Sequence, residues 1–312
     1  MVYDKITLCG FISVNLHMAT TGSFSEVLYL DGKILKGIQS LSFEVTSPET
    51  NKPVMGRAHS QLVTFESPPS VSSRVNKVLL NTDFMTGLID KTGSNREMLG
   101  FSGGMFYGDN LMEFNTGVLD GFSITANTSD IPEIAFDFTI YGSMTGRVSN
   151  AVTPDGLNFN DPNHFDTDEE LDIVSPTGIT VLFDKSGDGS ITGMNSVSSM
   201  TFTEAYSYDV KYGLGSRVPS QIQLLDPILQ TANIELEIEN YAFEDTYRAL
   251  DIGTNQDRSI VLEVRGENGS LNKFSMTGAQ LVGENINTAA GDFVKANLTY
   301  RAYKPLINYP TS

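Results

Sequence analysis

The sequence predicts a mainly β protein made of two tandem copies of one β unit, each copy with a short helix. Apolar and polar residues alternate over many short segments, such as Leu41–Val45 and Ile234–Ile238, which is typical of half-buried strands. Turn-forming dipeptides, including Asp31-Gly32 and Asn268-Gly269, lie between such segments. The two halves of the chain can also be aligned with each other, which indicates a duplicated unit.

The internal repeat is clearest where Ile38–Phe43 aligns with Val197–Phe202 at an offset of 159 residues. Identical residues that meet at this offset are Ser40 and Ser199, Lys52 and Lys211, Gly56 and Gly215, Pro68 and Pro227, Asn81 and Asn240, and Phe84 and Phe243. One more residue of offset brings Phe138–Ile140 onto Leu298–Tyr300. The shared glycines and prolines fall beside predicted strands, where turns are expected.

Strands predicted from alternation occur in both copies. They are Leu41–Val45 and Ala135–Ile140 in the first copy, and Met200–Thr203, Ile222–Leu224, Ile234–Ile238 and Ile260–Val264 in the second. A short helix is predicted near Asp83–Ile89 and another near Phe243–Leu250, where Phe243, Tyr247 and Leu250 form one apolar stripe.

The composition divides the chain into three parts. We place the first β domain at residues 1–145 and the second at residues 178–312. Residues 146–177 between them are rich in Pro, Asn and Asp and include the acidic run Asp166–Asp172, so they predict a solvated linker. An acidic segment with a binding partner of its own is the alternative.

Composition also argues against several classes of protein. The 312 residues carry a formal net charge of −18 and are 40% apolar. This apolar content is too high for a disordered chain, and the negative charge repels nucleic acid. Cys9 is the only cysteine, so no disulfide forms within the chain. Without a long apolar run or a secretory signal, we expect a protein of the reducing cytoplasm with no membrane partner.

No motif predicts an active site, and we expect neither an enzyme nor a bound cofactor or metal. Gly100–Gly104 matches the G-x-S-x-G pattern of a nucleophile elbow, which requires a turn from a strand into a helix. The residues that follow, Met105–Asn110, end in turn formers rather than in a helix. We therefore interpret the glycines around Ser102 as part of a loop.

Asp184–Ile191 resembles the first half of an EF-hand calcium loop, with side-chain oxygens at Asp184, Ser186 and Asp188. Asn195 stands where such a loop needs a bidentate Glu. A turn between two strands explains the same residues without a metal, and both interpretations remain open.

Longer segments of the two copies share an outline that is found in one family. In the first copy these segments are Ile38–Val45, Gly56–Phe65, Ser67-Pro68 and the closing strand Ala135–Tyr141; in the second they are Val197–Phe202, Gly215–Arg217 and Asp226-Pro227. A strand, a long hairpin loop, a second strand, a short helix and a closing strand in this order resemble the tail-tube proteins of bacteriophages. They are also similar to the tube-forming protein of type VI secretion.

This resemblance implies a β-sandwich or open barrel in each copy, and a structural virion protein that polymerises into stacked rings around a channel for DNA. Rings of this family are sixfold, so two units per chain imply a trimeric, pseudo-hexameric ring, with a hexamer of whole chains as the alternative. The implied partners are further copies of the chain, DNA in transit and other tail proteins (tape measure, terminator, baseplate and, where present, a sheath). The implied location is the virion tail, after synthesis in the cytoplasm of the bacterial host.

The resemblance also suggests which surfaces take part in assembly. The loops Thr46–Met55 and Ala205–Leu214 are expected to contact the next ring, and the candidate contact residues are Lys52, Arg57, Tyr206, Tyr208, Tyr212 and Arg217. Glu235, Glu237 and Glu239 share one face of a predicted strand, and this face looks either into the channel or into outer solvent. An acidic channel wall would repel DNA.

Two other functions remain alternatives at this stage. One is another tail component on the same fold, such as a terminator, a baseplate protein or a sheath-associated ring protein. The other is a non-viral β-sandwich that serves as a binding module, because a fold alone does not fix a function.

Overall fold

A computed structural model gives the fold of the chain. It describes residues 13–17, 26–46, 49–53, 61–65, 70–80, 100–107, 110–142, 173–184, 191–193, 197–216, 218–238, 258–265, 271–287 and 294–304. The chain is mainly β, as predicted, and most of its strands belong to one large antiparallel sheet. The two predicted short helices, at 83–89 and 243–250, lie outside the described residues. In the described part, no helix is long and apolar enough to cross a membrane.

The strands follow one another through the whole described chain. Those before residue 142 are β1 (Ser13–His17), β2 (Glu26–Leu30), β3 (Lys33–Ile34), β4 (Ile38–Thr46), β5 (Glu49–Pro53), β6 (Gln61–Phe65), β7 (Ser70–Val78), β8 (Gly100–Tyr107), β9 (Asn110–Asn127) and β10 (Glu133–Tyr141). Those after residue 178 are β11 (Ile179–Asp184), β12 (Ile191–Gly193), β13 (Val197–Ala205), β14 (Tyr208–Tyr212), β15 (Pro219–Leu224), β16 (Ile228–Ile238), β17 (Arg258–Arg265), β18 (Leu271–Asn287) and β19 (Val294–Lys304). A 3-10 turn at Pro176–Gly178 precedes β11.

Alternation of apolar and polar residues determines which side of each strand is buried. In β16, Ile234 and Leu236 are 1% and 3% exposed, while Glu235 and Glu237 lie on the opposite side and are half-buried. The strands predicted from alternation are thus confirmed, and so is the turn at Asp31-Gly32, where both residues have positive φ and join β2 to β3.

The main sheet runs through both halves of the chain. Its order is β1-β4-β7-β10-β9-β13-β16-β19-β18-β17-β11-β12, and β8 joins β2 to β9 beside this path. β5 with β6, and β14 with β15, form two separate hairpins. The pairing of β9 with β13 therefore joins the first half of the chain to the second within one sheet.

Strand pairing follows the same order in both halves. The first half pairs as β2-β8-β9-β10-β7-β4 and the second as β11-β17-β18-β19-β16-β13. Irregularities recur at matching places: the register shifts between Ile38 and Ser40 in β4, and between Val197 and Ser199 in β13. These are the residues that the offset of 159 superposes.

The predicted alignment of the closing strands is shifted by two residues. Phe136 pairs with Val75, and Leu298 pairs with Ile234. Val75 and Ile234 correspond at the offset of 159, so Phe136 rather than Phe138 corresponds to Leu298. The alternation of period 2 explains the error, because a shift by two residues leaves the same side chains on the same face.

The sheet curls in both halves, and its buried side chains form one core. The rings of Phe101 in β8 and Phe138 in β10 lie 5.4 Å apart, although β9 separates these strands in the sheet. In the second half the rings of Phe183 in β11 and Tyr300 in β19 lie 5.5 Å apart, although β17 and β18 separate their strands. These contacts require that each half of the sheet folds back on itself.

The last residues of the predicted linker pack against the first half of the chain. Val174 is fully buried, and its backbone N–H donates to the carbonyl of Leu79 at 3.1 Å. Ile173 forms a β-bridge with Leu80. The rest of the predicted linker, residues 146–172, lies outside the described residues.

Candidate assembly interface

One side of the large sheet is polar across both halves, and we call it the polar face. It consists of the side chains that point away from the core on β4, β7, β10, β9, β13, β16, β19 and β18. One row of paired residues crosses the junction of the halves: Thr125, Thr201, Asn233 and Thr299. The Thr299 hydroxyl donates to the side-chain oxygen of Asn233 at 2.9 Å. Hydroxyl and amide groups therefore continue without interruption from one half to the other.

Acidic residues on the second half of the polar face are paired with a lysine. The Lys295 ammonium lies 3.1 Å from a carboxylate oxygen of Glu235 and 3.5 Å from one of Glu237. The Ser198 hydroxyl donates to Glu235 at 2.9 Å, and hydrogen bonds from Ser198 and Lys295 lower the pKa of Glu235. The predicted residues Glu235 and Glu237 thus share one face, with their charge partly balanced, and Glu239 lies outside the described residues.

The first half of the polar face carries a similar ion pair. A guanidinium nitrogen of Arg74 lies 3.3 Å from the carboxylate of Asp137. Burial raises the pKa of Asp137, because the loss of solvation outweighs the attraction and the hydrogen bonds of Arg74. The polar face therefore presents few charges that lack an opposite charge beside them.

The two halves share core packing where β9 meets β13. Gly121–Asn127 of β9 pairs in register with Ser199–Ala205 of β13. On the core side, the Phe122 ring lies 6.0 Å from the ring of Phe202 and 6.0 Å from that of Phe274 on β18. The rings of Phe202 and Phe274 are 6.3 Å apart. The end of β9 thus completes the core of the second half.

β18 repeats the course of β9, but residues 281–287 of β18 pair only with β19 among the described strands. Both strands carry a bulge at the same place, with Asp120 bulged in β9 and Val282 in β18. Ile124 in β9 is fully buried, whereas Ile286, at the matching position of β18, is 43% exposed. Among the described strands, the matching segment of β18 therefore has no partner on its second side, and we call it the free edge of β18.

A buried carboxylate, that of Glu204, lies on the core side of β13 near its junction with β9. Glu204 accepts hydrogen bonds from the Tyr206 hydroxyl at 2.9 Å and from the Gln230 side-chain amide at 2.8 Å. The Lys304 ammonium lies 3.3 Å from the same carboxylate. A buried charge needs such partners, since its removal from water is costly.

The Lys304→Met substitution is expected to lower the free energy of unfolding by about 3 kcal/mol, because it leaves the Glu204 charge buried without a cation. Urea denaturation followed by circular dichroism measures the loss. The double variant Lys304→Met with Glu204→Gln is expected to recover most of it. A single variant as stable as the wild type would contradict this role of the ion pair.

Two of the predicted contact tyrosines bind within the chain. Tyr206 is buried, and its N–H donates to the carbonyl of Asp120 at 2.8 Å. The Tyr208 hydroxyl donates to the carbonyl of Leu119 at 2.6 Å, and burial raises the pKa of Tyr208. Tyr212 is half-buried. Tyr206 and Tyr208 thus attach the β14–β15 hairpin to the middle of β9, which an alternation pattern cannot predict.

Apolar side chains are exposed at the tip of the same hairpin, between β14 and β15, and at its open end, directly after β15. Leu214, Val218 and Leu225 are 110%, 47% and 43% exposed. Of the remaining predicted contact residues, Lys52 lies in the hairpin strand β5, opposite Leu62. Arg57 and Arg217 lie outside the described residues.

The pKa of Asp120, which lies in β9 where Tyr206 contacts it, is shifted. Burial raises its pKa to about 6, while a hydrogen bond from the Thr139 hydroxyl at 2.6 Å acts in the opposite direction. The negative charge of Asp137 raises the pKa of Asp120 further. The carboxylate is therefore held in an environment that favours its protonated form.

The contribution of Asp120 to stability is expected to fall as the pH rises from the ordinary aspartate pKa of 3.8 to about 6, because the folded chain holds the Asp120 proton over this range and the unfolded chain does not. The Asp120→Asn substitution is expected to flatten this part of the pH profile of the urea midpoint. Asp209→Asn, at an exposed position, is the control and should leave it unchanged. A profile that Asp120→Asn does not alter would contradict the prediction.

Ser102 lies inside a strand and not in the predicted loop. Gly100–Gly104 belongs to β8, and a Cβ at Gly104 would lie 2.5 Å from the hydroxyl oxygen of Tyr29 on the neighbouring β2. The glycines are thus needed for the close approach of Tyr29. The Ser102 N–H donates to the Asp31 carboxylate at 2.7 Å, so this serine supports the turn between β2 and β3.

The calcium hypothesis rests mostly on residues outside the described part. Asp184 is buried at the end of β11, and the loop that contains Ser186 and Asp188 is not described. Within the described residues, no group of three His, Cys, Asp or Glu side chains could hold a metal ion.

A cleft of about 320 Å³ lies at the other end of the junction, between the end of β9, the 3-10 turn and β13. Asn127, Pro176 and Met200 are among its lining residues, and none of the lining side chains is titratable. No family model and no curated protein matches the chain.

Proposed function

We propose that the chain is a structural subunit that polymerises into rings and stacked hollow tubes, like the phage tail-tube proteins it resembles. The pairing of β9 with β13 is the observation that carries this proposal. It is a sheet junction between two units of one chain, and a ring needs the same junction between chains.

The recurring strand order supports the presence of two tandem tube-like units. Both units pair their strands in one order, and their bulges match, as at Asp120 and Val282. Bulges are positioned features of a strand, so their recurrence favours duplication of one sandwich or open barrel over two unrelated halves.

Cyclic closure explains the free edge of β18. A free edge exposes backbone N–H and C=O groups that tend to pair with another strand. Copies joined head to tail through this edge form a closed ring when the rotations between successive copies add up to a full turn, and we propose that they do. Three chains supply the six units of a pseudo-hexamer, and a hexamer of whole chains is the alternative.

The polar face is suited to line the channel. A polyanion binds through Lys and Arg contacts that release counterions. On the described part of this face the cations are Arg74, Lys273, Lys295 and Arg301, and the first three lie beside carboxylates. Hydroxyls, amides and the overall charge of −18 leave DNA without a binding surface, so it can pass.

We infer that the hairpins β5–β6 and β14–β15 contact the next ring. They stand apart from the main sheet at equivalent places in the two units. Exposed Leu214, Val218 and Leu225 then supply apolar contact in the second hairpin. Such a tube belongs in a virion tail, where terminator, baseplate and tape-measure proteins bind its ends and its lumen.

Negative-stain microscopy and analytical ultracentrifugation of the purified chain test the proposal. We expect rings or rods of uniform bore, with trimers as the building block. The Ile286→Lys variant is expected to remain monomeric, while Ile131→Lys, at an isoleucine that is 52% exposed in the loop after β9, should assemble normally. A wild-type chain that stays monomeric at all concentrations would overturn the proposal.

A further inference from the structure

We propose that β1 is a removable cap, which covers in the single chain the edge of β4 that β18 of a neighbouring copy takes in the ring. This inference rests on the proposed ring-forming function and adds the strands, the register and the exchange that closure requires.

β4 and β13 occupy the same place in their units. β4 pairs with β7 as β13 pairs with β16, and both have a register shift at the same position. The second edge of β13 receives β9, which joins the two units. The second edge of β4 receives β1, from Ser13 opposite Glu44 to His17 opposite Ser40. β1 therefore occupies beside β4 the position that β9, a strand of the first unit, occupies beside β13 in the second unit.

Transfer of the internal register predicts the contact between copies. Thr203 pairs with Ser123 inside the chain, and the corresponding pair between copies is Glu44 with Asn285. The adjacent pair along the two strands is Phe43 with Ile286, which corresponds to Phe202 with Ile124 inside the chain. Because Ile286 is exposed where Ile124 is fully buried, the apolar side chain that this pairing would cover is already in place.

Among the described residues, β1 covers less of the β4 edge than β9 covers of the β13 edge. Its five residues pair with Ser40–Glu44, whereas β9 pairs with all of Ser199–Ala205. Val45, which lies beyond the end of β1, is 56% exposed, while Glu204 at the matching position of β13 is buried. No described strand pairs with this side of β4 at Val45, so an incoming β18 can begin pairing there before it displaces β1.

Cysteine cross-links test the exchange in a Cys9→Ser background. The pair Ser13→Cys with Glu44→Cys locks β1 onto β4 when oxidised, since directly opposed residues bring their Cβ atoms within about 5 Å. The pair Glu44→Cys with Asn285→Cys reports the contact between copies. Ser123→Cys with Thr203→Cys is the matched control, because it forms the equivalent cross-link inside one chain.

We expect the oxidised Ser13→Cys, Glu44→Cys variant to lose ring formation and to regain it with a reductant. We expect the Glu44→Cys, Asn285→Cys variant to give covalent trimers on a denaturing gel, while the control stays a cross-linked monomer. Rings that form with β1 locked, or the absence of the 44–285 cross-link in assembled rings, would overturn the cap and leave the proposed function standing. A Cys9→Ser chain that forms no rings would overturn both.

Discussion

The Gly121→Val substitution is expected to lower the free energy of unfolding by roughly 3 kcal/mol, and Gly283→Val to change it by less than about 1 kcal/mol. The two glycines hold matching positions in β9 and β18. A Cβ at Gly121 would lie 2.6 Å from the carbonyl oxygen of Glu204, so the side chain would force β9 and β13 apart. A Cβ at Gly283 would meet nothing nearer than the Thr299 Cβ, at 3.6 Å.

Ring formation, unlike the free energy of unfolding, is expected to be sensitive to a substitution at Gly283. In the proposed ring, a strand of the next copy approaches Gly283 as β13 approaches Gly121, so Gly283→Val should abolish ring formation in a stably folded chain. Urea denaturation measures the stability, and sedimentation measures the assembly. If Gly283→Val assembled normally, β18 would not make the proposed contact; if Gly121→Val were as stable as the wild type, the β9–β13 junction would not be tight.

The Phe202→Ala substitution is expected to cost about 3 to 5 kcal/mol and to destabilise both halves of the chain together. Phe202 is 1% exposed and contacts Phe122 from the first half and Phe274 from the second. Its removal leaves a cavity in packing that both halves share, so one unfolding transition should move as a whole.

Circular dichroism and tyrosine fluorescence can follow this transition. The chain has 12 tyrosines and no tryptophan, so the tyrosine emission is observed directly. Phe202→Leu is the control and should cost less than about 1.5 kcal/mol, since it retains most of the apolar volume. Two separate transitions, only one of which responds to Phe202→Ala, would show that the halves fold independently.

Most strands could be predicted from local patterns. The alternation in Ile234–Ile238 identifies β16 and its buried side, because side chains on a strand point alternately to the two faces. The glycines around Ser102 misled the prediction, since Gly usually marks a loop. Here Tyr29, which is distant in sequence, packs against that strand and requires residues without a side chain.

Residues of the candidate interface were harder to predict. Contact of Tyr206 and Tyr208 with another ring stays a prediction; within the chain both bind the middle of β9, more than eighty residues away. The sequence gives no signal for this contact, because a tyrosine has the same local pattern whether its ring faces solvent or a distant strand. The Ile124 and Ile286 pair shows the same limit, since both isoleucines occupy matching strand positions and only one is buried.

The β character of this protein, the buried side of its strands and the recurrence of one pattern in both halves can be predicted from local sequence. These properties depend on neighbouring residues, and a period of two residues is sufficient to set them. The covered strand edges become known only from the folded chain: β9 covers β13, β1 covers β4, and the end of β18 pairs on one side only among the described strands. Edge pairing depends on backbone groups that every residue except proline carries, so the side-chain pattern does not specify the partner.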